Sequence, residues 1–297
     1  MKKKIIEPML MFLRGLAMGA ADIVPGVSGG TIALITGIYT RFIDAIRQAF
    51  GIVSRKNISA AARGRFRSII KQVKSLDYGL ILPLILGIGT AVLTMSNIIH
   101  HLMEEQTLWT YSFFFGLILG SAYFLYRQLG RIDLKISLMA MIGATASFII
   151  VGGEPTAVTP NLFFIFFAGS IAISAMVLPG ISGSFILVLL GLYELIITSI
   201  KELDIIVIAV FSTGVFTGLL FFSRALSYLL HKKRELTMGF LIGLMLGSLR
   251  LQFNIVMEHA SSQSLLGALA FLILGCVIVI ILEAKGRKKD GAQAKRK

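Results

Sequence analysis

The sequence predicts an all-α membrane protein: an inverted repeat with six transmembrane helices plus two re-entrant helical hairpins. Three observations predict it. The chain is 56% hydrophobic and 15% charged, its mean hydropathy is +0.85, and its apolar runs reach membrane-spanning length. One motif occurs twice inside such runs, Pro25-Gly26-Val27-Ser28-Gly29-Gly30 recurring as Pro179-Gly180-Ile181-Ser182-Gly183-Ser184. The 29 Lys and Arg against 15 Asp and Glu gather in short connections and in the tail. That distribution orients membrane helices and is not a nucleic-acid footprint.

Each element follows in chain order. Lys2-Lys3-Lys4 before an apolar run imitates a leader, but Arg14 interrupts the run and the repeat begins directly after it, so the segment reads as mature protein. Residues 9–46 form the first hairpin. Its arms, near 9–24 and 28–46, are each short for a full span, and they turn at Pro25–Gly30. The loop 47–75 holds Arg47, Arg55, Lys56, Arg63, Arg65, Arg67, Lys71 and Lys74 with no acid, so it lies inside, on the side where the chain starts. Spans are expected near 78–97, 109–126 and 136–152. The connection 127–135 is basic and inside, whereas 98–108 and 153–161 carry no Lys or Arg and lie outside.

Residues 162–200 then enter from the outside and return there as the second hairpin. Spans near 205–224, 237–254 and 264–282 follow, with 231–236 basic and inside. The tail 284–297 is basic and inside. Repeat 1 covers 1–152 and repeat 2 covers 162–283. One hairpin plus three spans is an odd number of crossings, so the halves are inverted. Residues 15–46 and 169–200 share 11 identities in 32 positions, among them Gly37/Gly191 and Tyr39/Tyr193. After a change of offset, Leu76-Asp77 matches Leu203-Asp204, and Gly116, Gly120 and Ser121 match Gly243, Gly247 and Ser248. At that same offset the run Ser137–Gly152 matches Ser264–Val279.

A membrane protein with one helix break in each half points to a transporter whose site lies where the breaks meet. Proline removes an amide donor and glycine permits conformations that end a helix. Non-helical backbone at membrane depth survives only when enclosed by protein or facing a wet cavity. Ser28 is placed to cap a helix starting near Thr31. That leaves the amides of Gly29, Gly30 and Thr31 at a positive helix end suited to an anion. Ser182, Gly183 and Ser184 supply the opposite half-site. With Pro25, Gly26, Pro179 and Gly180, these residues form the expected binding set for a phosphate head group. The bland alternative is that both breaks only kink helices for packing.

Arg14 and Asp22 are ionisable groups at membrane depth and are expected to form a charge pair or proton relay. Arg14 has snorkelling to the interface as its alternative. The matching positions are Ala168 and Met176, so any such role is asymmetric. Tyr39 and Tyr193 are expected as interfacial anchors, with a cavity wall as their alternative; Arg224 is expected as an orientation signal in preference to a ligand, and the glycine ladders as sites of close helix approach. One cysteine, Cys276, and scattered histidines provide no metal set. No cofactor motif is present.

The stretch Gly19-Ala20-Ala21-Asp22-Ile23-Val24-Pro25-Gly26-Val27-Ser28-Gly29-Gly30-Thr31, followed by Gly37-Ile38-Tyr39, resembles the signature of a bacterial membrane family long known only as a domain of unknown function. That family is now associated with polyprenyl-phosphate (undecaprenyl-phosphate) transport, and the resemblance covers nearly the whole chain. It implies a multi-pass protein of the bacterial cytoplasmic (inner) membrane, both termini cytoplasmic, that returns undecaprenyl phosphate from the outer to the inner leaflet for cell-wall polymer synthesis. Expected partners are the polyprenyl-phosphate lipid, surrounding membrane lipids, and a coupling ion, proton or sodium. A transporter of a small soluble anion is the alternative reading.

Pro179–Ser184 is also similar to a Pro-Gly-x-Ser-Arg-Ser-Gly motif of membrane undecaprenyl-pyrophosphate phosphatases. Here Gly183 stands in place of the arginine, and the paired glutamates of that family are missing, with Asp22 alone near the break. Phosphoryl transfer depends on cationic groups that stabilise the developing charge. The chain therefore reads as a binder of phosphate and not as an enzyme.

Overall fold

The computed structural model describes residues 2–24, 26–52, 67–130, 133–155, 160–261 and 263–294, and among them every regular element is a helix. Pro25, the middle of the basic loop (53–66) and the last three residues of the tail lie outside the described residues. The helices are α1 Lys2–Ile23, α2 Gly29–Ile35, α3 Tyr39–Gly51, α4 Arg67–Lys74, α5 Tyr78–Glu105, α6 Thr107–Gln128 and α7 Leu134–Val151. They continue as α8 Leu162–Val177, α9 Gly183–Leu189, α10 Tyr193–Glu202, α11 Ile205–Lys232, α12 Arg234–His259 and α13 Leu265–Ala294.

Among the described residues, five of these, α5, α6, α7, α11 and α12, are long and apolar enough to cross a bilayer. The sixth expected span falls on the apolar part of α13, Leu265–Ile281. Carboxylates and an amide set several helix starts. Asp77 accepts from the Leu80 amide, Asp133 from Ile136, Asn161 from Phe164, and Asp204 from Ile206 and Val207. The aspartates of the matched Leu76-Asp77 and Leu203-Asp204 pairs are thus N-caps, each satisfying donors that no helical carbonyl can reach.

The returning arm of each hairpin departs from the expectation of one continuous half-helix. The arm 28–46 is split into α2 and α3, and its counterpart into α9 and α10, which meet at 107°. The cause is local. Gly37 (φ +73°) and Gly191 (φ +66°) take the left-handed conformation just past a helix end. Gly37 and Ile38 donate to the carbonyls of Leu34 and Ala33, and Gly191 and Leu192 donate to those of Val188 and Leu187. These are the two bonds of a Schellman cap, and glycine adopts that conformation without the Cβ penalty.

Packing follows a paired pattern. α1 lies along α5 as α8 lies along α11; α6 lies along α13 as α12 lies along α7; α6 and α12 touch each other at the centre. Glycines bring the members together. A Cβ on Gly15 would strike the Leu84 carbonyl and one on Gly87 that of Phe12, while Gly169 and Gly214 face Phe211 and Phe166 in the same way. The third span differs from the constant-offset alignment, which sets Gly143 against Ala270. Gly143 packs on the Phe240 carbonyl and the Leu244 amide, and Gly275 packs on the matched Phe113 and Leu117. The register of α13 is therefore fixed by Gly275, because it is where the helix axes must approach most closely. At the centre, α2 is buried at all seven of its residues.

Candidate substrate site where the helix breaks meet

The first break ends α1 at Ile23. Val24 and Val27 donate to the carbonyls of Ala21 and Val24, and Gly26 has φ +78°. The second break ends α8 at Val177, and Gly180 has φ +85°. The two are in direct contact. The Ser28 hydroxyl lies 3.0 Å from the Leu178 carbonyl and 3.1 Å from that of Met176, and the Gly180 amide donates to Thr31 Oγ1 at 3.2 Å. A Cβ on Gly30 would come within 2.7 Å of the Val177 carbonyl. Ser28 and Thr31 are fully buried. The first break thus supplies side-chain partners for backbone groups that the second has released from a helix, which a buried chain requires.

Ser28 caps α2, as its residue type predicts, although the helix begins at Gly29 and not near Thr31. The amides expected to be free at this end are bonded. Gly29 donates to Asp22 Oδ1 at 2.6 Å, Gly30 to Ser28 Oγ at 3.0 Å, and Thr31 to the Ser28 carbonyl at 2.8 Å. The physical reason is burial: orphan donors enclosed in protein find the nearest acceptors, and Asp22 brings negative charge to a positive helix end. Asp22 is therefore a cap as well as an ionisable group. Arg14, half-buried, places Nη1 3.7 Å from Met11 Sδ.

The second break is built differently. Ser182 is the N-cap of α9 by position but makes no capping bond; its hydroxyl pairs with Ser184 Oγ at 2.8 Å. A Cβ on Gly183 would meet the Ala172 carbonyl at 2.7 Å and Met176 Cβ at 3.1 Å, where Gly29 meets Asp22 in the first half. The carboxylate cap thus belongs to one break alone, as the Asp22/Met176 mismatch in sequence required.

Four further residues matter that the sequence reading passed over or misplaced. Tyr39 is 2% exposed, and its hydroxyl donates to the Val177 carbonyl at 3.2 Å, tying α3 to the second break. It is not the interfacial anchor expected; its match Tyr193 is 37% exposed. Gln252 on α12 is fully buried, with Nε2 and Oε1 both lacking a hydrogen-bond partner among the described residues. A Cβ on Gly26 would lie 2.6 Å from that Nε2. Its matched position on α6 is the buried Leu125. An amide within an apolar span, here one of two with Asn254, is the signal that could have found it.

Arg41 grips Asp77 through Nε at 2.6 Å and Nη2 at 3.0 Å, and reaches Glu7 at 3.3 Å, joining α3, the start of α5 and α1. It holds the Asp77 carboxyl below its ordinary range. Arg250 donates to the Phe148 carbonyl at 2.9 Å and lies over the Phe148 ring, completing the C-terminal end of α7.

Two interrupted helix pairs, sealed against each other inside a bundle of apolar helices, define a polytopic membrane protein with its irregular backbone enclosed at the centre. The chain belongs to the VCA0040-like family, described as undecaprenyl phosphate translocase-like, whose profile matches residues 18–268. It is 41% identical over 249 residues to a protein of Vibrio cholerae serotype O1 named polyprenyl-phosphate transporter, a match covering 84% of this chain and 79% of that one. A Staphylococcus aureus protein of the same name is 31% identical over 295 residues, covering 91% of this chain and 94% of its own. No solved structure matches.

Proposed function

We propose that this protein carries undecaprenyl phosphate between the leaflets of the bacterial cytoplasmic membrane, returning the carrier lipid to the inner face, without hydrolysing it. The observation that carries this reading is the contact of the two breaks through Ser28, Thr31 and Gly180, in a chain whose relatives are named for polyprenyl-phosphate transport. In this reading the two halves, 1–152 and 162–283, are inverted, each with a re-entrant hairpin, and both termini are cytoplasmic. The paired helix pairings and the Asp77/Asp204 caps support the repeat.

The phosphate binds at the breaks. Ser182 and Ser184 offer hydroxyls beside Gly183 at the start of α9. Asp22 holds the Gly29 amide, and an incoming phosphate competes with that carboxylate for one helix end. Protonation of Asp22 weakens its hold and frees the Gly29 amide, so the coupling ion in this scheme is a proton. Binding to fixed amides and hydroxyls requires no arginine. The absence of a cation at Gly183 removes the group that phosphoryl transfer needs.

The test is a leaflet-accessibility assay with purified protein in liposomes containing undecaprenyl phosphate. Redistribution of the lipid dependent on the protein is expected, with no phosphate released from undecaprenyl pyrophosphate. A protein that leaves the lipid in its leaflet while moving a soluble anion would replace this reading by the soluble-anion one.

A further inference from the structure

A second, basic pocket lies away from the breaks, between the end of α3 and the last turns of α11. It is an open pocket of about 420 Å³, lined by Arg47, Gly51, Arg224, Ser227, Tyr228, His231 and Lys232. It lies where α3 packs on α11, a contact that also brings the Phe50 and Phe216 rings to 4.9 Å. Asp44 is the carboxylate beside it. It accepts from Ser227 Oγ at 2.6 Å, lies 3.6 Å from Arg47 Nε, and lies 3.4 Å from His231 Nε2. The lining thus carries three cations, Arg47, Arg224 and Lys232, with one carboxylate, Asp44, beside it, and the surplus positive charge suits a dianionic phosphate monoester.

The surroundings favour a phosphate that carries an apolar tail. Phe221, Arg224 and Tyr228 are spaced to share one face of α11. Phe221 is 65% and Tyr228 61% exposed, so aromatic rings flank the arginine on a surface turned away from the core. Arg224 sits about 12 Å down the helix from Lys232, at 1.5 Å per residue. That depth matches the boundary between head groups and hydrocarbon, where aromatic rings and snorkelling cations sit. An orientation role accounts for basic residues at a helix end, but not for their convergence with Arg47 from the other half of the chain on one open pocket.

We infer that this pocket is a docking station for the phosphate-monoester head group of a polyprenyl lipid at the leaflet surface, with the first isoprene units lying along Phe221 and Tyr228. This rests on the function proposed above and adds a place where the lipid is received or released before or after it passes the breaks.

The experiment uses the full chain in phosphatidylethanolamine nanodiscs with undecaprenyl phosphate carrying a photoreactive group near the phosphate. Labelling of the α11 segment around Phe221–Tyr228 is expected, falling at least tenfold in Arg47→Gln/Arg224→Gln and largely retained in Arg224→Lys. Phosphatidylglycerol, a phosphodiester, should not compete at equal mole fraction, and inorganic phosphate should compete only at far higher concentration. Where the double variant is poorly folded, Lys232→Gln provides the same reading. Undiminished α11 labelling in a folded variant, equal competition by phosphatidylglycerol, or equal competition by inorganic phosphate would each overturn the inference. A wild-type protein that is labelled nowhere and moves no lipid instead sinks the proposed function itself.

Discussion

The carboxylate of Asp22 accepts the amide of Gly29 at 2.6 Å, closing the first helix break with a side chain from the helix that the break ends. A charge placed there both caps α2 and occupies the helix end most attractive to a phosphate. Asp22→Ala should lower stability by about 0.5–2 kcal/mol, the usual cost of a lost cap, read as a fall in the thermal midpoint in detergent. Asp22→Asn keeps an acceptor oxygen and should stay near wild type in stability, while transport loses its dependence on a proton gradient. A gradient response unchanged in Asp22→Asn would remove Asp22 from the coupling scheme.

Gln252 gives a test in which stability and activity move in opposite directions. Among the described residues its buried amide, beside Gly26, has no hydrogen-bond partner, and an unsatisfied buried polar group costs about 1–3 kcal/mol. Gln252→Leu, the residue found at the matched Leu125, should therefore raise the thermal midpoint. If the amide serves the head group, the same variant should lose most of its transport. A stabilised protein with full transport would place Gln252 outside the site.

Tyr39 and Tyr193 are matched in sequence but differ in burial, so their hydroxyls should differ in worth. Tyr39→Phe removes the bond to the Val177 carbonyl and should cost about 0.5–1.5 kcal/mol. Tyr193→Phe should cost little. Equal midpoints for the two variants would show that the Tyr39 bond is not made in the membrane.

Topology can be read by cysteine labelling in a Cys276→Ser background. Positions on either side of the second hairpin are needed, but Gly152 is unsuitable because a side chain there would collide with the Arg250 guanidinium. Glu154→Cys and Lys201→Cys are both exposed and should label from the same, outer side. Labelling from opposite faces would turn the hairpin into a span and end the inverted reading.

The Arg41–Asp77 clasp carries a pH signature. Arg41 depresses the Asp77 pKa below its ordinary 3.8, so the stability it contributes is present above that value and is lost as pH falls through the lower, folded one. Arg41→Gln should accordingly be less stable than wild type at neutral pH, with the difference shrinking below about pH 4 as Asp77 protonates in both proteins. A difference that persists unchanged into acid would assign the Arg41 effect to packing.

Sequence alone determined the class and most of the elements. Apolar runs of spanning length, the acids at Asp77 and Asp204, and the doubled Pro-Gly motif are local signals, and local physics acts on them directly. Gly37 and Gly191 were legible too: each stands where a Schellman cap needs a left-handed residue, and reading them that way would have divided both returning arms. Tertiary structure decided the rest. Whether the amides at Gly29–Thr31 are free depends on where the Asp22 carboxylate swings, and no spacing rule states that. Burial separated Tyr39 from Tyr193, although the two align. The register of α13 was set at Gly275 by the approach of α6, and Arg47 and Arg224 came to one pocket only because α3 packs on α11. Hydrogen-bond satisfaction and close packing are settled between distant segments, whereas helix formation and membrane partition are settled within one.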